Sequence, residues 1–189
     1  TLIRGAVEGM IDGVLPADIP TLNSVHEETL RLSRLVDTLR EIETIESGRL
    51  ELNLESIDAA DLCRRAASLF AKAAAEKDIR LSVETDGGVP PRVRGDYLRL
   101  GQVLHNLLAN ALRYTPRGGR IRVTAGGEGR TAVLTVEDSG PGIPEGERDR
   151  IFERFYRLDR SRSSGEGGRG LGLAIAREIV QAHGGTIDA

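Results

Sequence analysis

His105-Asn106-Leu107-Leu108-Ala109-Asn110-Ala111-Leu112-Arg113-Tyr114-Thr115 carries two messages on one helix. Asn106, Asn110 and Arg113 are spaced by four and three residues, which stacks their side chains on a single face. Leu107, Leu108 and Ala111 fall between them and turn toward a core. Two carboxamides and a guanidinium on one stripe suit a phosphate and its hard cation. Amide oxygens ligate magnesium, which keeps most of its own waters, and arginine offers phosphate a bidentate fork. On this run alone, a solvated polar face would read the same way.

Outward from this helix, Asp96 is placed to cap its start, and Pro116, Gly118 and Gly119 end it after Tyr114. Ile121, Val123 and Ala125 alternate as one strand and Ala132, Leu134 and Val136 as another, with a hairpin turn at 128–130. A short helix is expected from Pro144 to Phe155, then a polar, glycine-rich stretch. A last helix runs from Leu171 to His183, stopped by Gly184 and Gly185, and a strand starts at Thr186. The chain then stops inside what should be the last hairpin of the sheet, which would expose an unpaired edge. Upstream, Leu50, Leu52 and Leu54 alternate as a strand. Asp58 caps a helix reaching Lys77, Ile79, Leu81 and Val83 alternate again, and Pro90-Pro91 marks a loop.

The first 48 residues read differently. A helix ends near Asp12, broken by Gly13, Pro16 and Pro20. Leu22, Val25, Thr29, Leu32, Val36 and Leu39 then recur at alternating steps of three and four, a heptad seam widened by Leu35 and Ile42. A lone helical hairpin cannot bury so wide a stripe. A second copy of the chain is the expected partner, with packing on the rest of the same chain as the alternative. The reading is therefore a helical hairpin over 1–48 and a second domain over 49–189, of class α+β, with helices layered on one face of a mixed sheet.

Composition narrows the function. At 189 residues, 39% apolar and 29% charged, the chain is of ordinary globular make-up. A net charge of −3, aromatics at 3% and no tryptophan give no basic face or stacking platform for nucleic acid. Cys63 is the only cysteine, so no disulfide framework exists. His26, His105 and His183 lack zinc-type spacing. No apolar run approaches the roughly 18 residues needed to span a bilayer, so no membrane contact is expected within this segment.

Two further runs carry chemistry. Asp138-Ser139-Gly140-Pro141-Gly142-Ile143-Pro144 follows a strand. A carboxylate there can accept from an exocyclic amine such as that of adenine, and the glycines admit a flat base; a capped tight turn is the plainer alternative. Gly165 to Gly172 (GEGGRGLG) opens the last helix, where free N–H groups and the helix dipole favour phosphate. The stretch from Arg157 to Gly168 would be a lid over a nucleotide, or a linker. Residues 165–170 match G-x-G-x-x-G, but no strand precedes them, and no G-x-x-x-x-G-K-[ST] occurs.

In this order and spacing, the three runs resemble the N, G1 and G2 boxes of two-component sensor histidine kinases. Ile151-Phe152-Glu153-Arg154-Phe155-Tyr156-Arg157 resembles the F box. Leu2-Ile3-Arg4-Gly5 resembles the sequence just after the phosphoacceptor box. The resemblance covers nearly the whole chain and implies the ATPase fold shared with DNA gyrase, a heat-shock chaperone and mismatch-repair ATPases.

It implies ATP and Mg2+ as cofactors, with Asn110 ligating magnesium and Asn106 near the phosphates, where hydrolytic relatives carry a glutamate that activates water. Arg113 would contact phosphate, and Tyr114 would pack on adenine. Asp138 would bind the adenine amino group in a pocket shaped by Gly140, Gly142 and Ile143. Phe152 and Phe155 would anchor the lid, and Gly168, Gly170, Leu171 and Gly172 would shape the phosphate-side loop. The implied activity is ATP-dependent phosphorylation of a histidine, relayed to a response-regulator receiver domain, by a homodimer joined through the hairpin. The segment would be cytoplasmic, with its parent anchored in the bacterial cell membrane. The family's phosphoacceptor box is absent and expected upstream of Thr1. His26-Glu27 resembles it only superficially, because no Arg-Thr-Pro follows. The alternative is a module that binds nucleotide and dimerises but transfers nothing.

Overall fold

The computed structural model describes residues 2–46, 51–85, 92–128, 131–158 and 170–189, with side chains between 31 and 46 described only in part. The chain divides into two compact units, Thr1–Arg49 and Leu50–Ala189.

The first unit holds α1 (Leu2–Ile11) and α2 (Ile19–Glu46), which pack on each other. Gly13 ends α1 at a φ of +70°, with Val14 N–H donating to Gly9 O at 2.9 Å and Gly13 N–H to Met10 O at 3.3 Å. That pair of bonds is a Schellman motif, which needs a left-handed residue and so favours glycine. Asp18 caps α2 by accepting from Thr21 N–H at 2.9 Å. The Thr21 hydroxyl and amide beside it hold the Asp18 carboxyl below its usual range. Pro20, expected to interrupt the chain, instead lies in the first turn of α2. The N–H groups there have no intrahelical partner, so a proline costs nothing. Along the seam, Leu22, Leu32 and Val36 are exposed. The side chains of Leu35, Leu39 and Ile42 lie outside the described residues.

The second unit contains β1 (Glu55–Asp58), α3 (Ala59–Ser68), α4 (Ala71–Glu76), β2 (Arg80–Thr85), β3 (Arg92–Gly95), α5 (Tyr97–Tyr114), β4 (Arg120–Glu128), β5 (Thr131–Asp138) and α6 (Gly172–Ala182). β2 runs parallel to β4, and β4 antiparallel to β5, in the order β2-β4-β5. The crossover from β2 to β4 passes through α5, so the sheet is mixed and the class α+β. β1 and β3 form a separate antiparallel ladder. Ile121, Val123 and Ala125 point alternately into the core. There they meet Leu62 and Cys63 of α3 and Leu104, Leu108 and Ala111 of α5. On β4 between them, Arg122 bonds Glu137 across the ladder at 2.7 Å on an exposed face. Helices therefore cover one side of the sheet.

Several local expectations shift. Of the strand expected over Leu50–Leu54, the described residues 51–54 form none, and Leu50 lies outside the described set. The strand starts at Glu55, where β3 supplies a ladder partner; Leu52 and Leu54 alternate without one. β3 itself was not anticipated. The helix from Asp58 to Lys77 is two helices with a turn at Leu69–Phe70, and the turn lays the Phe70 ring 5.1 Å from that of His105. Asp58 does cap α3, accepting from Asp61 N–H at 2.9 Å. The helix expected over 144–155 is a pair of 3-10 turns, Glu145–Glu147 and Arg150–Phe152. Residues 185–189 form no strand among the described residues. The hairpin turn at 128–130 falls partly on residues 129 and 130, outside the described set.

Candidate functional site: where three distant segments converge

α5 brings Asn106, Asn110 and Arg113 to one face of an 18-residue helix. Its N-cap is Asp96, whose Oδ1 accepts from Arg99 N–H at 3.0 Å and whose Oδ2 accepts from Asn53 N–H at 3.0 Å. Burial pushes the Asp96 carboxyl up, but donations from Arg99, Asn53 and Leu98 outweigh it and hold the group below its usual range. Asn106, half-buried, donates from Nδ2 to the Gly172 carbonyl at 3.0 Å. This bond joins α5 to the first residue of α6. A Cβ on Gly172 would stand 3.4 Å from the Asn106 amide, so the two elements approach to van der Waals contact here.

The second segment meets the far end of α5. Asp138 closes β5, and its Oδ1 accepts from Gly140 N–H at 2.7 Å. One carboxylate oxygen is thereby oriented by the turn, and the group retains further acceptor capacity for a ligand amine. A Cβ on Gly140 would lie 3.0 Å from the Tyr114 carbonyl and 2.6 Å from Asp138 Oδ1, so the close approach requires glycine. The Tyr114 ring is half exposed, with the Arg113 guanidinium 5.3 Å from its centroid. Gly142 has a φ of +74° with open space where a Cβ would be, and Ile143 is half-buried. Ser139, not anticipated as a support, locks the turn by two bonds. Its Oγ accepts from Arg120 N–H at 2.9 Å, and its own N–H donates to Arg120 O at 3.0 Å.

The third segment leads into α6. Phe152 and Leu171 are buried, and the Arg177 guanidinium stands 5.9 Å from the Phe152 ring. Phe155 is 61% exposed and holds a φ of +62°, uncommon for an aromatic residue. Its N–H donates to the Gly170 carbonyl at 2.8 Å. Gly170, at a φ of +71°, has the Tyr156 carbonyl 2.5 Å from where a Cβ would be. Residues 155–156 and 170 thus meet, and this pairing tolerates only glycine at 170. Tyr156 donates its phenol to Glu147, which raises the phenol above its ordinary range. Arg150 bonds Glu147 at 3.1 Å and lies 4.5 Å from the Tyr156 centroid. Gly168 and most of the expected lid lie outside the described residues.

The donor set fits a nucleotide: a carboxylate and half-exposed ring at the C-terminal end of α5, and amides about one and two turns earlier on the same helix, Asn106 beside the start of α6. Among the described residues no group of three or more His, Cys, Asp or Glu could hold a metal ion. A magnesium here would draw its oxygen ligands from phosphate, water and a few amides.

Known proteins share this fold. Residues 95–189, about half of the chain, match the family model described as histidine kinase-, DNA gyrase B-, and HSP90-like ATPase. The chain is 37% identical over 188 residues to the signal transduction histidine-protein kinase BaeS of Escherichia coli strain K12, covering 100% of this chain and 40% of that protein. It thus spans about two fifths of the length of that curated relative. Histidine kinase AdeS of Acinetobacter baumannii superposes with a TM-score of 0.76 at 28% identity, over 96% of this chain and 82% of that one. Histidine kinase ThkA, solved in complex with the response regulator protein TrrA, superposes with a TM-score of 0.74 at 28% identity, over 100% of this chain and 52% of that one. With a carboxylate-glycine turn, an amide-bearing helix and a glycine-opened helix in one unit, the chain belongs to the histidine kinase-, DNA gyrase B- and HSP90-like ATPase family, among its sensor histidine kinases.

Proposed function

We propose that this chain is the nucleotide-binding core of a two-component sensor histidine kinase, binding Mg-ATP and passing its γ-phosphoryl group to a histidine. The observation that carries the reading is the convergence on α5 of two segments far away in sequence. Gly172 meets Asn106, and Gly140 meets Tyr114.

Asp138 accepts the adenine amino group, and Gly140, Gly142 and Ile143 leave room for the base against Tyr114. Asn106, Asn110 and Arg113 face the phosphates, with Leu171 and Gly172 opening α6 toward them. Phe152 and Phe155 anchor the segment between. Asn110 would hold magnesium, which when bound neutralises phosphate charge. An imidazole nitrogen attacks the γ-phosphorus in line, an N–P bond forms as the bond to the β-phosphate oxygen breaks, and ADP leaves. The protein's part is positioning and charge stabilisation. An amide at Asn106 cannot serve as a general base toward water, which favours transfer over hydrolysis.

The acceptor is a histidine other than His26, His105 and His183, and a response-regulator aspartate then takes the phosphoryl group. ThkA's complex with TrrA supports the regulator as partner. The exposed seam on α2 supports pairing of the 1–48 hairpin with a second copy. The remainder, 49–189, is the kinase domain. No described helix is long and apolar enough to cross a membrane; the proposed anchor belongs to the parent protein.

Calorimetric titration with Mg-ADP tests the reading. Asp138→Asn should weaken binding by about 1.5–3 kcal/mol, as for a hydrogen bond to a charged group. Equal affinity in variant and parent sinks the pocket assignment.

A further inference from the structure

His183 sits at the C-cap of α6, and the motifs of the site make no use of it. Both its ring nitrogens are engaged. Nε2 accepts from the Asp96 backbone N–H at 3.0 Å, and Nδ1 lies 2.7 Å from the Ile179 carbonyl. An N–H pointing at Nε2 places the ring's own proton on Nδ1, which donates to Ile179 O. The ring edge packs on Gly95, where an added Cβ would come within 3.2 Å of Cδ2. Gly184 and Gly185 complete the end of α6. Gly184 N–H donates to Gln181 O and Gly185 N–H to Val180 O, each at 2.9 Å, with Gly184 at a φ of +74°. This Schellman closure fixes where the ring projects.

α5 and α6 are therefore tied at two points. Asp96 bonds His183 where α5 begins and α6 ends. Asn106 bonds Gly172 ten residues further along α5 and eleven back along α6. At 1.5 Å per residue the two ties are about 15 Å apart. Two ties on an antiparallel pair fix both its separation and its register. A slip of α6 along α5 breaks both at once.

We infer that His183 is a positioning residue. Through the Asp96 amide it sets the register of α6 on α5, and so holds the glycine-opened start of α6 against Asn106, at the end that receives phosphate. The inference rests on the nucleotide-site reading above. It assigns the phosphate side of that site a remote determinant, leaving the adenine side, built on β5 and Tyr114, independent of it.

The test uses the 189-residue chain and three variants. His183→Ala removes the ring, His183→Phe keeps a ring without nitrogens, and His183→Gln keeps an acceptor where Nε2 stands. The first readout needs no ligand: the NMR signals of the Asn106 side-chain amide, whose Nδ2 bonds Gly172. They should move in Ala and Phe and return toward the parent in Gln. The second readout is affinity for Mg-ADP beside affinity for adenosine. In Ala and Phe the first should fall about tenfold, or 1.4 kcal/mol, while the second changes less than twofold. Gln should recover most of the loss. A merely structural histidine would lower the melting temperature and leave the ratio of the two affinities untouched. Unmoved Asn106 signals in a folded Phe or Ala variant, or equal losses for both ligands, overturn the proposal. A parent chain that binds neither ligand, with Asn106 signals that still move, refutes the nucleotide reading while upholding the register tie.

Discussion

The two units place apolar side chains in opposite ways. In 50–189, α3, α5 and β4 send Leu62, Leu104, Leu108, Ile121 and Val123 into one core, each all but inaccessible to solvent. In 1–49, no residue of α1 is buried, and Leu2, Ile11, Val14, Ile19 and Leu22 stand at least half exposed. A sheet with helices on one face can bury its own apolar surface. Two helices cannot, and a heptad stripe left in water is surface seeking a partner. On the proposed reading, the first unit serves association and the second serves the ligand.

This contrast can be broken outright. If the 1–48 hairpin pairs as proposed, Leu32→Glu combined with Val36→Glu should abolish dimers of the parent protein in light scattering while leaving the second unit folded. Cys63 reports on that unit: it is fully buried, and burial raises its thiol to about 11. Thiolate is therefore scarce at neutral pH, and native labelling by a thiol reagent should be slow in parent and double variant alike. Fast labelling in the double variant would show that the two units do not hold their stability separately.

Leu104→Ala should destabilise the second unit by about 2–5 kcal/mol, the range for emptying a packed leucine site, and should speed Cys63 labelling accordingly. A denaturant melt checks it. A loss below 1 kcal/mol would mean that the alanine-rich face of α3 collapses into the space.

Asn110→Ala bears on the ligand alone. It should remove the magnesium-promoted part of ADP affinity, on the order of tenfold or 1.4 kcal/mol, with stability unchanged. An unaltered magnesium response in calorimetry places the ion's ligand elsewhere.

Asp96→Ala should cost about 1 kcal/mol at neutral pH, as lost N-caps do. The Asp96 carboxyl is held below its usual range in the fold, so its contribution is present above the unfolded value of about 3.9 and lost as pH falls through the lower folded value. Melts of variant and parent should therefore differ at pH 7 and converge only in strong acid. A gap constant with pH would assign the effect to packing instead.

Much of the second unit could be read locally. Asp58 and Asp96 announce α3 and α5 because a short acceptor before an apolar period has one cheap use. β4 shows its alternation because one face of it meets the core and the other bears Arg122. The candidate site residues could be picked out because their chemistry is unusual for their positions: amides in a row on a helix, glycines around a carboxylate. What escaped lacks local marks. β3 is four residues with Val93 as its only sizeable apolar side chain, and it is a strand because β1 lies beside it. The break at Leu69–Phe70 interrupts good helix formers with no glycine or proline to signal it.

Periodicity, caps and glycine placement determined which segments are helices, which alternate as strands, and which residue types could meet a nucleotide, since all of these depend on neighbours within a turn or two. Tertiary structure alone decided the pairing of β1 with β3, the start of β1 at Glu55, and the two ties of α6 to α5. Those rest on groups 34 to 87 positions apart, whose meeting depends on how the whole core closes.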